Sequence, residues 1–380
     1  SVVSAGGRRR VKRPQFELKA LAEVVPPSLV EDCLSEADKR DQRANGKLPM
    51  ALLPWLLIGM GLFRDLNIAQ VLSRVVEATR DLVPWGHAEL PHATSLAKAR
   101  DRLGWEVVRT IFRKLAALLT KQHSEALLWY GKSVFTLDGT TFRTPDTPAN
   151  EAWFGRPGTS RGGPSAFPHL RAVMLMGAWT HVVAEVVFGP YHLGELKLAE
   201  HMLERLKPGM LLLLDRAFHT FVWPARFLER GVDFVMRAKS GRCVATPKKL
   251  RRLGPGDWLC VLQANAYTRR RWPGFEDVLV RMITRRRRGF RPVSILTSLL
   301  SADDYPAQEI FNLYTDRWEA ELGYRELKVH LVDEPIPFRS HRPDRVLQEA
   351  YGLLIAYNCV RALMCRGAEV AGVRPIELSF

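Results

Sequence analysis

Met210 to Leu214 read MLLLL, an unbroken apolar run set between the helix-breaking pair Pro208-Gly209 and an acid, Asp215. A strand with one wet face alternates polar and apolar residues, so a run that does not alternate reads as a strand covered on both faces. Such a strand needs layers of structure on either side of it. The neighbouring sequence offers them: a helical segment over 195–207 before the run, a helix over about 220–230 after it, and Gly231 leading into a further strand, VDFVMRA.

Upstream of this unit, SVFTLD from Ser133 reads as a strand that ends in Asp138, followed by a polar stretch rich in Pro and Gly over 140–168. Two strand-like runs, 170–177 and 182–188, come next, separated by AWTH. Antiparallel strands followed by alternating strands and helices describe an α/β chain with a mixed sheet flanked by helices. Up to about Gln122 the apolar residues recur at three and four residue spacings, with breaks at Pro26-Pro27, Pro54, Pro84 and Pro91, which marks residues 1–125 as a helical N-terminal domain. In it, Thr94 or Ser95 is the expected N-cap of a helix through Arg102 bearing Lys98, Arg100 and Arg102, and a second helix with Arg109, Arg113 and Lys114 follows. Those cations fit either a DNA-touching surface or an ordinary solvated helix face. The apolar run 50–61 is short and interrupted by Pro54, so it reads as a buried helix and not a membrane span.

Past Lys239 the pattern breaks into short β-like pieces, 258–263 and 278–284, before a buried strand resumes over 293–299. A helix over about 306–329, broken or bent, and an apolar helix over 347–364 close the chain. Residues 126–236 and 292–380 therefore read as one core, and 237–291 as a β-rich insertion in it. The formal net charge is +16, and it is concentrated: residues 237–291 hold 16 Lys and Arg against Asp257, Glu276 and Asp277, a balance of +13. Such a density attracts phosphate backbones and makes binding steeply salt dependent. The stretch lacks a long apolar helical face, which argues against a membrane partner. Arg8, Arg9, Arg10, Lys12 and Arg13 form a second, smaller basic arm, read either as a tail or as a phosphate-tracking segment. The five cysteines are odd in number with no CxxC spacing, which argues against a disulfide framework and a structural zinc site. No segment reads as a signal peptide, so a cytoplasmic setting is expected.

Three acids hold chemical interest. Asp138 and Asp215 end buried strands, where open α/β sheets put their sites, although a strand-end Asp can equally be a turn or cap residue. The third lies in YTDRWEAELGYRELK, where Tyr314, Arg317, Glu321 and Lys328 fall at offsets 0, 3, 7 and 14. On one continuous helix those offsets keep the four side chains within about 60° of one another, while Glu319 and Glu326 point elsewhere. The stripe suits either a solvated face laced with ion pairs or a metal-dependent site acting on a polyanion. Three convergent carboxylates without a His or Cys partner suit a hard ion, Mg²⁺ or Mn²⁺, and a pair of such ions ~3.5–4 Å apart is suited to phosphodiester displacement.

The spacing Y-x2-R-x3-E-x6-K over Tyr314, Arg317, Glu321 and Lys328 resembles the signature of the DDE transposases of the insertion-sequence-four family. LDGTT around Asp138 and LLLLDRAF around Asp215 are similar to that family's two catalytic aspartate motifs, in the same order. The resemblance covers residues 133–328 and implies a ribonuclease H-like fold with a β-rich insertion between the second Asp and the Glu. It implies that Asp138, Asp215 and Glu321 are catalytic and hold two metal ions, that Arg317 and Lys328 hold phosphates near the scissile bond, and that Tyr314 contacts the same strand. The implied reaction nicks a transposon end to a 3′-OH that then attacks target DNA. In relatives with this signature a hairpin forms on the way, with a flipped base stacked on an aromatic, for which Trp258, Trp272 and Trp318 are candidates alongside a reading as core residues.

The implied partners are double-stranded DNA, at transposon ends and target, and a second copy of the chain on that DNA, in the bacterial nucleoid. The run Arg285, Arg286, Arg287 and Arg288 is expected to touch DNA. Two departures are visible: Ala217 stands where Gly is frequent, and the 52 residues after Lys328 are short for a separate C-terminal dimerisation domain. Alternative readings are a domesticated DNA-binding protein and a structure-selective nuclease of the same fold.

Overall fold

A computed structural model of the protein describes residues 21–379 except 22, 42–47, 82, 84–89, 159–161, 240–245, 275, 287, 288, 290 and 328–337. Lys328, Arg287 and Arg288 therefore lie outside the described residues, as do the N-terminal basic arm and Cys243. The run MLLLL is strand β5 (Met210–Leu214), and it occupies the interior of the sheet. On its left in the sheet are β2 (Lys132–Arg143), β3 (His169–Gly177) and β4 (Val183–Pro190). To its right are β6 (Asp233–Arg237), β10 (Val293–Thr297), β9 (Val278–Arg285), β8 (Asp257–Leu262) and β7 (Lys248–Gly254). A two-residue β1 (Leu128–Trp129) pairs with the start of β2. β2, β5 and β6 run parallel and every other described pairing is antiparallel. The order β4-β3-β2-β5-β6, with β3 antiparallel to β2, is a ribonuclease H-like sheet, and the short strands after it continue the same sheet outward.

Alternation along β5 explains the layers. Leu212 and Leu214 join one buried cluster with Phe135, Leu137, helix α7 (Glu195–Ala199) and helix α8 (Val222–Leu228). Leu211 and Leu213 point the other way, into a cluster with Val134, Val235 and helix α10 (Ala307–Thr315). Both faces of the strand are thus dry, as the unbroken apolar run requires.

The N-terminal helices share a third cluster with β3, β4 and the last helix, α12 (Pro343–Ala371). They are α1 (Pro27–Glu36), α2 (Leu52–Leu62), α3 (Ile68–Ala78), α4 (Ala93–Leu103) and α5 (Trp105–Gln122); the short helices α6 (Pro148–Phe154) and α9 (Ala266–Arg271) follow β2 and β8 in the chain. α2 and α12 approach closely because glycine stands on both sides: a Cβ on Gly61 would lie 2.9 Å from Leu353 Cα, and one on Gly352 would lie 2.6 Å from the Leu57 carbonyl oxygen. No helix among the described residues is long and apolar enough to cross a membrane.

Three expectations are corrected and one is borne out. β2 does not stop at Asp138 but runs on to Arg143, because Gly139 to Arg143 continue the ladder with β3. The helix over 306–329, expected to be broken or bent, is indeed parted at Asp316, which separates α10 from α11 (Arg317–Arg325). Lys248–Gly254, too charged to be read as β, is the outermost strand of the described sheet, where both strand faces meet water. Arg100 is not on a solvated or DNA-facing surface: it is buried, donating to Gln348 Oε1 at 3.1 Å, the Arg345 carbonyl at 3.0 Å and Glu349 Oε1 at 3.3 Å.

Candidate active site

Leu137 and Leu214 are the last partners in the parallel ladder of β2 and β5, so Asp138 and Asp215, the next residue of each, stand at the same level where the two strands cease to pair. The carboxyl ends of parallel strands open into a crevice because the chain turns away in different directions there. Asp215 starts the 3₁₀ turn Arg216–Phe218, its Oδ1 accepting from the Ala217 N–H at 2.6 Å. Asp138 stays within β2, and its Oδ1 accepts from the Gly139 N–H at 2.8 Å. Burial pushes the Asp138 carboxyl up, and the charges of Asp215 and Glu321 add to the effect, against the Gly139 hydrogen bond and Arg317.

Two tyrosine hydroxyls bind the helices to those strand ends. Tyr314, at the end of α10, donates to the carbonyl of Leu214, the residue before Asp215, at 3.2 Å. Tyr324, on α11, donates to the carbonyl of Asp138 itself at 2.9 Å, with the Met174 carbonyl 3.3 Å away. Between them the Trp179 indole N–H donates to Asp316 Oδ2 at 3.0 Å, fixing the break that re-aims α11. α11 sits close over β3 because a Cβ at Gly323 would lie 2.8 Å from Met176 Sδ. Glu326, on the side of the helix away from the stripe, meets His181 at 3.3 Å and Arg361 at 3.4 Å. The position of Glu321 therefore follows from contacts made by the opposite side of its helix.

Arg317 faces the acids. Its Nη2 donates to Glu321 Oε1 at 2.9 Å, its Nη1 is 3.9 Å from Asp138 Oδ2, and its guanidinium carbon is 5.9 Å from the centre of the Tyr314 ring. Burial works against the charge on Arg317, but Tyr314, Glu321 and Asp138 outweigh it and raise the pKa. Tyr314 is itself raised, chiefly by burial.

Sequence reasoning missed two residues here. Tyr324 continues the inward-facing series Ile310, Leu313 and Leu327, and its hydroxyl made it the one member able to bond a strand end. Glu195 opens α7 on the other face of the sheet, and its carboxylate occupies the space a side chain at position 139 would need: a Cβ there would lie 2.5 Å from Glu195 Cδ. Burial, then the charges of Asp138 and Asp215, push the Glu195 carboxyl up to about 7, with Arg171 opposing. The pairing of a glycine directly after Asp138 with an acid opening a later helix was its only signal in the sequence.

The remaining candidates are spread more widely. Trp318, next to Arg317, is 63% exposed. Trp258 on β8 lies under the Lys249 ammonium, 4.5 Å from ring centre to nitrogen, and Trp272 lies under Arg271 at 5.1 Å. Arg285 stacks on Phe311 at 4.7 Å and bonds to Gln308, whereas Arg286 is exposed.

The donor set suits a hard divalent cation. All of its candidate ligating atoms are carboxylate oxygens, and burial, followed by the charges of neighbouring acids, raises both Asp138 and Glu195, an effect a bound cation would oppose. Among the described residues no three acid, His or Cys side chains converge closely enough to hold an ion in this arrangement. Arg317 accounts for part of that, since it holds Glu321 and leans towards Asp138.

Comparison with known proteins places the chain. Residues 15–113 match the insertion element 4 transposase N-terminal family, and residues 129–359 match the transposase DDE domain. Over 369 residues the chain is 33% identical to the transposase InsG for insertion sequence element IS4 of Escherichia coli (strain K12), a match spanning 96% of this chain and 80% of that protein. Among solved structures, the piggyBac transposase in a synaptic complex with hairpin DNA aligns at a TM-score of 0.43 and 12% identity, covering 96% of this chain and 78% of that one.

Proposed function

The chain belongs to the insertion-sequence-four family of DDE transposases, enzymes that cut and join DNA with a divalent metal, and from that premise we propose that Asp138, Asp215 and Glu321 are its catalytic carboxylates. The observation that carries the assignment is the pair of tyrosine anchors, Tyr314 to the carbonyl before Asp215 and Tyr324 to that of Asp138. Tyr324 ties the helix with Glu321 directly to Asp138, and Tyr314 ties the helix before it to the strand end that leads into Asp215. The three acids would hold two ions, Mg²⁺ or Mn²⁺. Bound there, the ions would lower the pKa of an attacking water or 3′-OH and offset charge on the leaving oxygen.

The chain's own residues have distinct tasks in this reading. Asp138, shared by the strand ends and the helix, gives up Arg317 when cations and DNA arrive, and the freed guanidinium turns to a phosphate oxygen beside the scissile bond. Lys328, further along the signature, is assigned to the same strand. Tyr314 is half-buried with its hydroxyl committed to Leu214, so it supports the site and presents its ring edge to DNA. Trp318 is the favoured stacking platform for a flipped base in a hairpin step, because it is exposed beside Arg317 while Trp258 and Trp272 each have a face under a cation.

In the same reading, residues 237–291 form a basic insertion that tracks DNA, with Arg286, Arg287 and Arg288 at its end as the phosphate contacts and Arg285 beside them engaged by Phe311 and Gln308. Residues 1–125 form the leading helical domain, and two copies pair on the two transposon ends in the bacterial nucleoid. Purified protein incubated with end-sequence DNA and Mn²⁺ tests the assignment. Asp138→Asn, Asp215→Asn and Glu321→Gln are each expected to lose cleavage and strand transfer while retaining DNA binding; cleavage retained by any one of them removes that residue from the trio.

A further inference from the structure

The geometry points to a fourth carboxylate in the same centre: Glu195 holds a divalent cation together with Asp138 and Asp215, approaching from the side of the sheet opposite α11. This rests on the assignment of Asp138 and Asp215 made above.

Half-buried and buried acids elsewhere in the core have cationic partners. Glu185 is met by Arg113 at 3.0 Å, Glu326 by Arg361 at 3.4 Å and Glu349 by Arg100 at 3.3 Å. Glu195 has neither a hydrogen bond nor an ion pair among the described residues. The cation that acts on it, Arg171, is stacked on Tyr191 at 4.7 Å and donates to the Tyr191 carbonyl at 3.3 Å. A half-buried carboxylate with no counter-charge carries a desolvation cost that a pairing group or a bound metal would offset.

The space around it is shaped for such a role. The carboxylate lies where a side chain at position 139 would stand, with Oε2 2.6 Å from the place of a Cβ, so only glycine there lets it reach the backbone beside Asp138. Two residues along β2, Thr140 Oγ1 is buried without a hydrogen-bond partner, on the strand face that also bears Asp138. Asp138 and the unmet Thr140 hydroxyl on one face of β2, and the Glu195 carboxylate on the other, thus follow the last rung of the β2–β5 ladder, Leu137 with Leu214. An ion seated at that point would have access to carboxylates from both sides.

Mn²⁺ binding to the full chain without DNA, followed by titration calorimetry, tests this. Glu195→Gln keeps the shape and removes the charge, and is expected to weaken Mn²⁺ binding by about ten-fold or more. Its melting temperature without metal should match or exceed that of the parent, since an unpaired charge has been removed. Gly139→Ala, which displaces the Glu195 carboxylate by contact, is expected to weaken Mn²⁺ binding in the same direction. Parental Mn²⁺ affinity in Glu195→Gln, with binding lost in Asp138→Asn, overturns the role of Glu195 alone. Parental affinity in Asp138→Asn as well overturns the centre on which it rests.

Discussion

Acids are handled in two opposite ways within this molecule. Behind α11 and along α12, Glu326 and Glu349 sit in closed networks: Glu326 with Arg361, His181 and Tyr357, and Glu349 with Arg100, Ser340 and the Arg339 N–H. Burial alone would push Glu326 up, yet the His181 hydrogen bond and Arg361 outweigh it and hold the carboxyl below its usual range. At the strand ends the balance reverses, and both Asp138 and Glu195 are raised. Acids that only hold the fold sit in closed networks of counter-charges and hydrogen bonds, whereas Asp138 meets Arg317 only at 3.9 Å and Glu195 meets no cation in an ion pair among the described residues. The fold thus carries an unfavourable charge at one point, and a cation arriving there would relieve it.

The contrast is broken most severely by removing one side of a closed network. Arg100→Met strands Glu349 in the interior and should destabilise the protein by about 3–5 kcal/mol in chemical denaturation. The double variant Arg100→Met/Glu349→Leu should recover most of that loss. Asp138→Asn supplies the opposite limb, with stability kept or raised because an unfavourable charge is gone. A stability loss in Asp138→Asn as large as that in Arg100→Met would erase the distinction between the two regions.

A second test uses pH. Because Glu326 is depressed in the fold, its contribution is complete above the unfolded value of 4.5 and disappears as pH falls through the lower folded value. Glu326→Gln should therefore cost about 2 kcal/mol near neutrality, with the gap to the parent closing below pH 4.5. A gap that stays constant to low pH would mean that shape and not charge makes the contribution.

Tyr324→Phe probes the join between the regions. Loss of one hydroxyl bond should cost about 1 kcal/mol of stability. Its larger effect should fall on cleavage, since α11 would lose its direct reference to Asp138, and raised Mn²⁺ should restore part of the rate. Unchanged Mn²⁺ dependence in this variant would reduce Tyr324 to a packing residue.

Both regions differ in how far the sequence reveals them. MLLLL announced a central strand because its neighbours on both faces are apolar, a property carried by the run itself. β7 was illegible for the inverse reason: at the sheet edge both faces are wet, so Lys248, Lys249, Arg251 and Arg252 erase any alternation. Asp138, Asp215 and Glu321 are legible through motif and resemblance, and so is a break or bend in the 306–329 helix, but not its place at Asp316, which is held by Trp179, 137 residues away. Arg100 was misjudged on similar grounds. Its spacing with Lys98 and Arg102 looks like a solvated face, and only the approach of α12 shows that the guanidinium turns inward. Glu195 and Tyr324 share that limit, since each matters through a backbone atom or glycine far away in the chain.

The smallest effect expected lies in the basic insertion, and it separates cations that hold structure from cations left for a partner. Arg285 is occupied twice, by the Phe311 ring and by Gln308, so it belongs with the closed networks. Arg286, one residue further, is exposed and makes no bond among the described residues, which puts it with the uncompensated groups. If Arg286 meets a phosphate, Arg286→Gln should lower the slope of log affinity against log salt by about one, uniformly across DNA sequences. Arg285→Gln should leave that slope in place and show instead as a small loss of stability, because its charge is already engaged within the protein. Equal slopes in the two variants would mean that engagement by Phe311 and Gln308 does not survive contact with DNA, and the division between satisfied and unsatisfied charge would then hold for the acids but not for the cations.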